Sequence, residues 1–292
     1  MAKSFLFILN PASGVKDDRK QIIKKLEEGL PGVDLTVKET SGRADLSMIK
    51  NEAKKKDWDA LLVGGGDGTI NLVATAIIER KLPLGIIPLG SANGLAACLG
   101  ISTVDDALET IRSGNLETID ALKMNGQRCL HMSDFGFNAG LIKRFERSNE
   151  RGMMSYFKSS LGEFLEMKPY RFVIESGNDS EDVEAKILVM ANGDRYGTGA
   201  IINPWGSMND GSLEIIALNP EGLEEMITLS VSLFRGTLDE LPGVKKWSVQ
   251  SATVHNPDGA TFQVDGEVMK DTRVVEIVCE PGQLRVFSPK RK

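Results

Sequence analysis

The segment Asp59-Ala60-Leu61-Leu62-Val63 runs straight into Gly64-Gly65-Gly66-Asp67-Gly68-Thr69 and then into Ile70–Glu79, whose spacing is helical. A short unbroken apolar run of this kind reads as a strand buried on both faces of a parallel sheet. Four glycines in the following turn let backbone N–H groups approach a ligand closely, and the next helix points its positive end at the same place. Phosphate is the natural guest there. Asp67, inside the turn, is a candidate to hold Mg²⁺ or to take a proton. The plain alternative is a tight strand–helix turn with Asp67 as an N-cap, but a cap alone does not need so many glycines.

The same unit recurs through the first half. Phe5–Leu9 reads as a strand, Asp18–Leu30 as a helix spaced on Ile22, Ile23, Leu26 and Leu30, and Val33–Glu39 as a second strand. Asp45–Lys56 reads as a solvated helix, Ala60–Val63 and Leu84–Ile87 as buried strands, and Leu95–Leu99 and Val104–Arg112 as short helices. Repeated βα units predict a parallel sheet covered by helices. Four strand exits carry one chemistry: Asn10-Pro11-Ala12-Ser13-Gly14, Thr40-Ser41-Gly42, the glycine turn, and Pro88-Leu89-Gly90-Ser91-Ala92-Asn93-Gly94. Strand carboxyl ends converge on the ligand crevice of an open α/β sheet, so four such exits together point to a nucleotide.

After about Gln127 the pattern becomes one of short alternating stretches: Ala185–Ala191, Leu213–Leu218, Trp247–His255, Ala260–Val264, Val274–Val278 and Leu284–Phe287. Asn209-Asp210-Gly211 and Pro257-Asp258-Gly259 are turn signals, so this half reads as antiparallel β structure, interrupted by helices at Met153–Met167 and Leu223–Arg235. The predicted architecture is an α/β N-terminal domain, residues 1–127, and a β-rich, sandwich-like C-terminal domain, residues 128–292. The sequence leaves open whether the last residues return to the first domain.

Composition narrows the function. With 292 residues, 41% hydrophobic and 26% charged, the chain suits two modest domains with packed cores. A net charge of −6 gives no electrostatic case for nucleic acid. The apolar run Phe5–Leu9 is too short for a signal peptide and no segment reaches the length of a membrane span, so a cytoplasmic protein is expected. Cys98, Cys129 and Cys279 are scattered in apolar settings and read as reduced core thiols; two histidines, His131 and His255, do not make a typical zinc site.

Taken together, these motifs resemble the diacylglycerol kinase catalytic-domain family, which includes sphingosine and ceramide kinases and soluble bacterial lipid kinases. The resemblance spans nearly the whole chain. Asn10–Gly14, Thr40-Ser41-Gly42-Arg43-Ala44, Gly65-Gly66-Asp67-Gly68-Thr69 and Pro88–Asn93 match the family's four N-terminal loops. Ile119-Asp120, Gly136-Phe137-Asn138-Ala139, Asn203-Pro204, Asp210-Gly211-Ser212-Leu213 and Val264-Asp265-Gly266-Glu267 follow in the family's order. The resemblance implies two domains with ATP and the active site between them, and ATP contacts at Asn10, Pro11, Ala12, Ser13, Gly14, Thr40, Gly65, Gly66, Asp67, Gly68, Thr69, Asn71, Ser91 and Asn93. It also implies a structural Mg²⁺ at Asp210 with groups near Ser207 and Ser212, and a proton acceptor drawn from Asp265 and Glu267. Leu72 stands where many members have an acidic residue, and Asn93-Gly94 where they have Asn-Asp; the loop Ser91–Ala97 is closer to the sphingosine-kinase form. These departures bear on the substrate rather than on the reaction.

Phosphoryl transfer needs phosphate cradling, Mg²⁺ to spread charge, and a carboxylate aimed at the attacking hydroxyl. Asp67, Asp120, Asp265 and Glu267 are the candidate carboxylates; for Asp265-Gly266-Glu267 an ordinary hairpin turn is the competing reading. Asp134-Phe135-Gly136 spells the protein-kinase metal motif, but no matching catalytic loop accompanies it, and it reads as coincidence. The expected activity is an ATP- and Mg²⁺-dependent lipid kinase, with an NAD kinase or a non-catalytic nucleotide-binding regulator as alternatives. The expected partners are a lipid substrate met reversibly at a membrane surface and a second copy in a homodimer. Lys143, Arg144, Arg147 and Arg151 ahead of the Met- and aromatic-rich stretch from Met153 are candidates for headgroup contact.

Overall fold

The computed structural model describes residues 2–14, 19–136, 167–270 and 272–290. The chain divides into two compact units, Met1–Ala121 with Pro281–Lys292, and Leu122–Glu280. The sequence reading sets its boundary at 128. The difference arises because strand β5 (Leu116–Met124) begins in the first unit and ends in a hairpin with β6 (Gln127–Cys129) in the second.

In the first unit β1 (Lys3–Leu9), β2 (Val33–Glu39), β3 (Ala60–Gly65) and β4 (Leu84–Pro88) form a parallel sheet in the order β2-β1-β3-β4. The connecting helices are α1 (Arg19–Gly29), α2 (Asp45–Lys54) and α3 (Asp67–Ile77), with α4 (Gly94–Cys98) and α5 (Val104–Ser113) after β4. Every residue of β3 is buried, as are the last five of β1, which explains the unbroken apolar runs: helices cover both faces. The chain steps outward from β1 to β2 and then crosses to β3 on the other side of β1. That reversal lies at the carboxyl ends of β1 and β3, the place where ligands bind in open α/β sheets. The end of the long strand β16 (Val274–Phe287) adds to this sheet, Val286 pairing in parallel with Leu84.

The second unit is an antiparallel sandwich. Strands β7 (Met132–Phe135), β10 (Ile187–Ala191), β11 (Leu213–Leu218), β12 (Lys245–Val249), β14 (Phe262–Val264) and β15 (Glu267–Met269) form a six-stranded sheet in the order β12-β11-β10-β7-β14-β15. The start of β16 pairs with β13 (Ser251–His255), followed by β8 (Tyr170–Ser176) and β9 (Asp179–Ala185). Phe135, Leu188, Met190 and Phe262 meet Phe172, Val254, Val275 and Ile277 between the sheets, with the Phe135 and Phe262 rings 4.6 Å apart. On the other face of the six-stranded sheet, Met132, Ile187, Val189 and Ile216 pack with Met226 and Leu229 of α6 (Gly222–Arg235).

Two stretches differ from their sequence reading for one reason, a slip in alternation. Trp247–His255 is two strands in different sheets. Trp247 and Val249 point to the core, then Ala252 and Val254 do, so the inward phase shifts by one at Gln250 and the chain changes sheet. Conversely, Val274–Val278 and Leu284–Phe287 belong to one strand. Val275, Ile277 and Cys279 face inward before Pro281-Gly282, and Leu284 and Val286 after it, with Gly282 at φ 62° accommodating a bulge. The expected helix at Met153–Met167 and the basic segment before it lie outside the described residues, apart from Met167 itself. No helix among the described residues is long and apolar enough to cross a membrane.

The three cysteines are reduced thiols; Cys129 and Cys279 are buried and Cys98 is half-buried. Burial, reinforced by the charge of Asp265, pushes the Cys129 thiol well above its ordinary value. A disulfide-exchange reagent such as DTNB at pH 8 should therefore modify no more than one thiol per native chain and three after unfolding; rapid reaction of all three in the folded protein would contradict this packing.

Candidate functional site

The loops after β1, β3 and β4 are tied together by short polar contacts and by bare backbone. Asn10 donates its backbone N–H to Gly64 O (2.8 Å) and its side-chain amide to Thr69 Oγ1 (2.9 Å), while its Oδ1 accepts from Ala12 N (2.9 Å). The first loop is thus folded on Asn10 and fastened to the glycine turn. Leu89 N donates to Gly65 O (3.1 Å), which fastens the fourth loop to the third. Gly90 packs its backbone on that of Gly66, and a methyl group on Gly90 would collide with the Gly66 Cα. No residue with a side chain fits at Gly90, so the surface here is backbone.

Asp67 is the first residue of α3, and Gly66 takes the N-cap position, so the reading of Asp67 as N-cap of its own helix does not hold. Its carboxylate instead reaches across to the fourth loop, accepting from Gly94 N (2.9 Å) and Leu95 N (3.0 Å) at the start of α4. Asn93, at φ 56°, turns its amide back on its own loop: Oδ1 accepts from Gly90 N and Nδ2 donates to Gly90 O, each at 2.8 Å. Asn93 therefore shapes the loop from within. Around this frame, Pro11, Ala12, Ser13, Gly14, Gly68 and Ser91 occupy the loops themselves, and Asn71 the second turn of α3. The first N–H groups of α3 precede its intrahelical bonds and carry the helix's positive end.

The loop after β2 is closed by a residue that sequence reasoning missed. Asp45 accepts from Ser41 N (2.9 Å), Ser41 Oγ (3.1 Å) and Gly42 N (2.8 Å), and the Ser41 N–H leads the contacts that hold its carboxyl below the usual range. An Asp at the head of a helix, a few residues after Ser-Gly, was the available signal. Thr40 joins β1 through its N–H to Leu9 O (2.9 Å). Asp120, the second acidic candidate of this half, is buried in β5 and accepts from Gly282 N (2.7 Å), so it pins the β16 bulge.

In the second unit Asp265 and Gly266 form the two-residue turn between β14 and β15, both at positive φ (46° and 84°), as an Asp-Gly hairpin requires. The hairpin reading is correct for the backbone, yet the carboxylate has further work. It accepts from the backbone N–H groups of Leu130, His131 and Met132, each at 3.3 Å, and Cys129 Sγ lies 3.4 Å away. Asp265 N in turn donates to Met132 O (3.0 Å). Glu267, exposed at the start of β15, has no such anchor among the described residues. His131 is buried with Nε2 2.6 Å from Arg195 O. Asp134 is buried on β7 opposite Gln263, whose amide contacts both carboxylate oxygens at 2.9 and 2.7 Å. Burial and the Asp134 charge push the Tyr196 hydroxyl well above its ordinary value. The Asp134–Gln263 pair needs strand register to be seen, and sequence alone does not supply it.

Asp210 and Ser212 share the turn before β11, Asp210 Oδ1 accepting from Ser212 N (3.0 Å), and the Ser207 hydroxyl donates to Asn209 Oδ1 (2.7 Å). Among the described residues no group of three or more His, Cys, Asp or Glu side chains converges as a metal site. A cation at this turn would rest on one carboxylate, backbone carbonyls and water, a donor set that suits Mg²⁺.

A family model described as the diacylglycerol kinase catalytic domain matches residues 4–124, and one described as the YegS C-terminal NAD kinase beta sandwich-like domain matches residues 133–288. The chain belongs to the YegS-like family of diacylglycerol-kinase-type lipid kinases. Curated relatives named "Probable lipid kinase YegS" include one from Salmonella schwarzengrund, 28% identical over 97% of this chain and 95% of its own length. Another, "Probable lipid kinase YegS-like" from an Enterobacter species, is 29% identical over 90% of this chain and 88% of its own. A crystal structure from Bacillus anthracis superposes with a TM-score of 0.78 at 22% identity, covering 99% of this chain and 98% of the other. A second, a diacylglycerol kinase from the same organism, gives 0.72 at 19% identity, covering 99% and 97%. At that identity they establish the fold, an α/β domain with a mostly parallel sheet and an antiparallel sandwich.

In this chain the fourth loop depends on two features that can be removed separately. Gly90→Ala should separate the third and fourth loops and lower stability by about 1–3 kcal/mol through overpacking. Asp67→Asn leaves one of two helix-start N–H groups without its acceptor and should lower stability by about 1–2 kcal/mol. Denaturant titration of both variants checks this; an unchanged midpoint for Gly90→Ala would contradict the contact between the loops.

Proposed function

We propose that the protein transfers the γ-phosphoryl group of ATP, with Mg²⁺, to the hydroxyl of a membrane lipid such as diacylglycerol or a sphingoid base. The observation that carries this reading is the bare Gly66–Gly90 backbone floor at the exits of β3 and β4, held by Asp67 and fastened to Asn10. A side chain on Gly90 would force the two loops apart; without one they close up, and the start of α3 beside Gly66 offers its N–H groups to a phosphate chain. Asn10–Gly14, Gly65–Thr69 and Ser91 are the residues that would hold ATP, with Thr40 and Asn71 flanking them. Mg²⁺, when bound with the nucleotide, spreads the negative charge that develops during transfer.

The protein's own groups then divide the remaining work. The α3 N-terminus orients the phosphates and favours their charge. Asp67 keeps the fourth loop in register with the third. Asp67 and Asp265 spend their carboxylate oxygens on backbone N–H groups, so they suit positioning rather than contact with the substrate. In the Asp265-Gly266-Glu267 turn, Asp265 holds the turn in place and Glu267 is the side chain available to the substrate hydroxyl. Asp120 belongs to the scaffold. Asp210, Ser207 and Ser212 would hold a Mg²⁺ whose role is structural.

The test is turnover with ATP and Mg²⁺ on a panel of diacylglycerol, sphingoid base, ceramide, phosphatidylglycerol and NAD. One of the lipids should be phosphorylated; phosphorylation of NAD with no lipid turnover would overturn the reading in favour of an NAD kinase. On the active lipid, Glu267→Gln should lower kcat by about two orders of magnitude, the scale of losing one charged catalytic contact, whereas Asp67→Asn should lower turnover together with ATP affinity, because it releases the fourth loop. Glu267→Gln should leave ATP affinity within a few-fold. Loss of ATP binding or of thermal stability in Glu267→Gln, without a specific rate defect, would make the turn purely structural.

A further inference from the structure

The three residues whose N–H groups meet the Asp265 carboxylate, Leu130, His131 and Met132, are all buried and lead into β7, between β10 and β14. Beyond β14, Asp265 gathers their N–H groups. Beyond β10, the loop after Ala191 takes their carbonyls. Leu130 O accepts from Asn192 Nδ2 (2.9 Å), and His131 O from the N–H groups of Asn192 (3.0 Å) and Gly193 (3.1 Å). Met132 O accepts the Asp265 N–H (3.0 Å), so every peptide group of the segment is paired.

These bonds differ in quality. The three N–H contacts to Asp265, each at 3.3 Å, are long beside the usual length of about 2.9–3.0 Å. Three donors sharing one carboxylate let the turn follow the segment rather than fix it. The short contact comes from the His131 side chain, whose Nε2 lies 2.6 Å from Arg195 O. A carbonyl oxygen only accepts, so the ring carries its proton on Nε2 and donates it. Leu130 and Met132 have no side-chain N–H or O–H, which leaves His131 as the residue of the three that anchors the segment through a side-chain donor.

The accepting carbonyl is itself held. Arg195 pairs with Ile201 in antiparallel fashion, Tyr196 N donates to Ala200 O (2.8 Å), and Ile201 N donates to Leu233 O (2.7 Å) on α6. Tyr196 also meets the imidazole edge-on, with ring centroids 6.4 Å apart at 85°. A residue that only filled this space would be apolar, because a buried polar ring is costly unless it is hydrogen-bonded. With 6% of its surface exposed, His131 is also no group for direct contact with a substrate.

We propose that His131 is a positioning residue for phosphoryl transfer: by tying residues 130–132 to Arg195 it sets the seat of the Asp265 carboxylate, and through that turn the place of Glu267. The proposal rests on the reading of Glu267 as the group available to the substrate hydroxyl. The path has three links: the Arg195 carbonyl to the His131 ring, the His131 segment to Asp265, and the Asp265-Gly266 turn to Glu267. Loss of the first link loosens the other two, and a catalytic group displaced by about 1 Å costs up to roughly a hundredfold in rate.

Two variants and two readouts test this. His131→Leu keeps an apolar filler and removes the donor, whereas His131→Gln keeps a side-chain N–H for Arg195 O. Amide hydrogen exchange at residues 130–132 should quicken roughly tenfold in His131→Leu and stay within about threefold of wild type in His131→Gln. On the substrate that the wild type turns over, His131→Leu should lower kcat about tenfold with the KM for ATP within about twofold, and His131→Gln should restore most of the rate. In a Glu267→Gln background, His131→Leu should cost less than about a further twofold, because the group it positions is already gone. General damage to the fold does not produce that pattern. A folded His131→Leu with normal kcat, unchanged exchange at 130–132, or a full further loss on top of Glu267→Gln overturns the inference. If His131→Leu does not fold, His131→Gln decides: near-normal kcat upholds the positioning role, and a protected segment with kcat as low as in Glu267→Gln overturns it. A normal kcat in Glu267→Gln alone overturns the role of Glu267 and this inference with it. Phosphorylation of NAD in place of lipid overturns the lipid reading alone, since the same comparisons then run on NAD.

Discussion

Backbone against backbone at Gly66 and Gly90 is the contact on which the first unit's arrangement depends. It brings the exits of β3 and β4 to within van der Waals distance and leaves no room for a side chain at Gly90. That closeness would be loose if nothing spanned it. Asp67 supplies the span, from the first residue of α3 to the first N–H groups of α4, and Asn93 braces the loop from inside. Asn10 adds the β1 exit by reaching Thr69. Three strand ends on both sides of the sheet's reversal point thus move as one piece. Rigid framing of backbone donors suits electrostatic catalysis, because donors already in position need no reorganisation when charge develops.

The second unit solves a related problem with different parts. A two-residue Asp-Gly turn normally needs only residues tolerant of positive φ. Here the Asp265 carboxylate also gathers the N–H groups of residues 130–132, so the turn after β14 is locked to the strand entering β7. The neighbouring Glu267 is thereby carried on a fixed support while its own side chain is exposed. One carboxylate is occupied in holding the turn and the next is exposed, and this division follows from hydrogen bonding alone.

Much of this was legible in the sequence, unevenly. The buried strands β1, β3 and β4 announce themselves as apolar runs, and the strand exits as glycine-rich loops, because both signals are local. The partners of Asp67 were not legible: a carboxylate inside a glycine turn gives no sign that its acceptor atoms serve N–H groups 27 and 28 residues away. Asp45 was passed over because an acidic residue at the head of a solvated helix looks ordinary. Trp247–His255 misled because its composition is strand-like throughout while its inward phase slips at Gln250, and composition does not register a slip of one. The Asp134–Gln263 pair is a product of register between β7 and β14, which no single-strand pattern contains.

The central claim is that the fastened loops of the first unit receive the phosphates of ATP. Backbone amide chemical-shift mapping during titration with ATP–Mg²⁺ tests it most directly. The account predicts that the largest changes fall on Ala12–Gly14, Gly66–Thr69 and Ser91, and that Asp67→Asn weakens them. Saturable binding with those amides unmoved, and the changes gathered elsewhere, would contradict it.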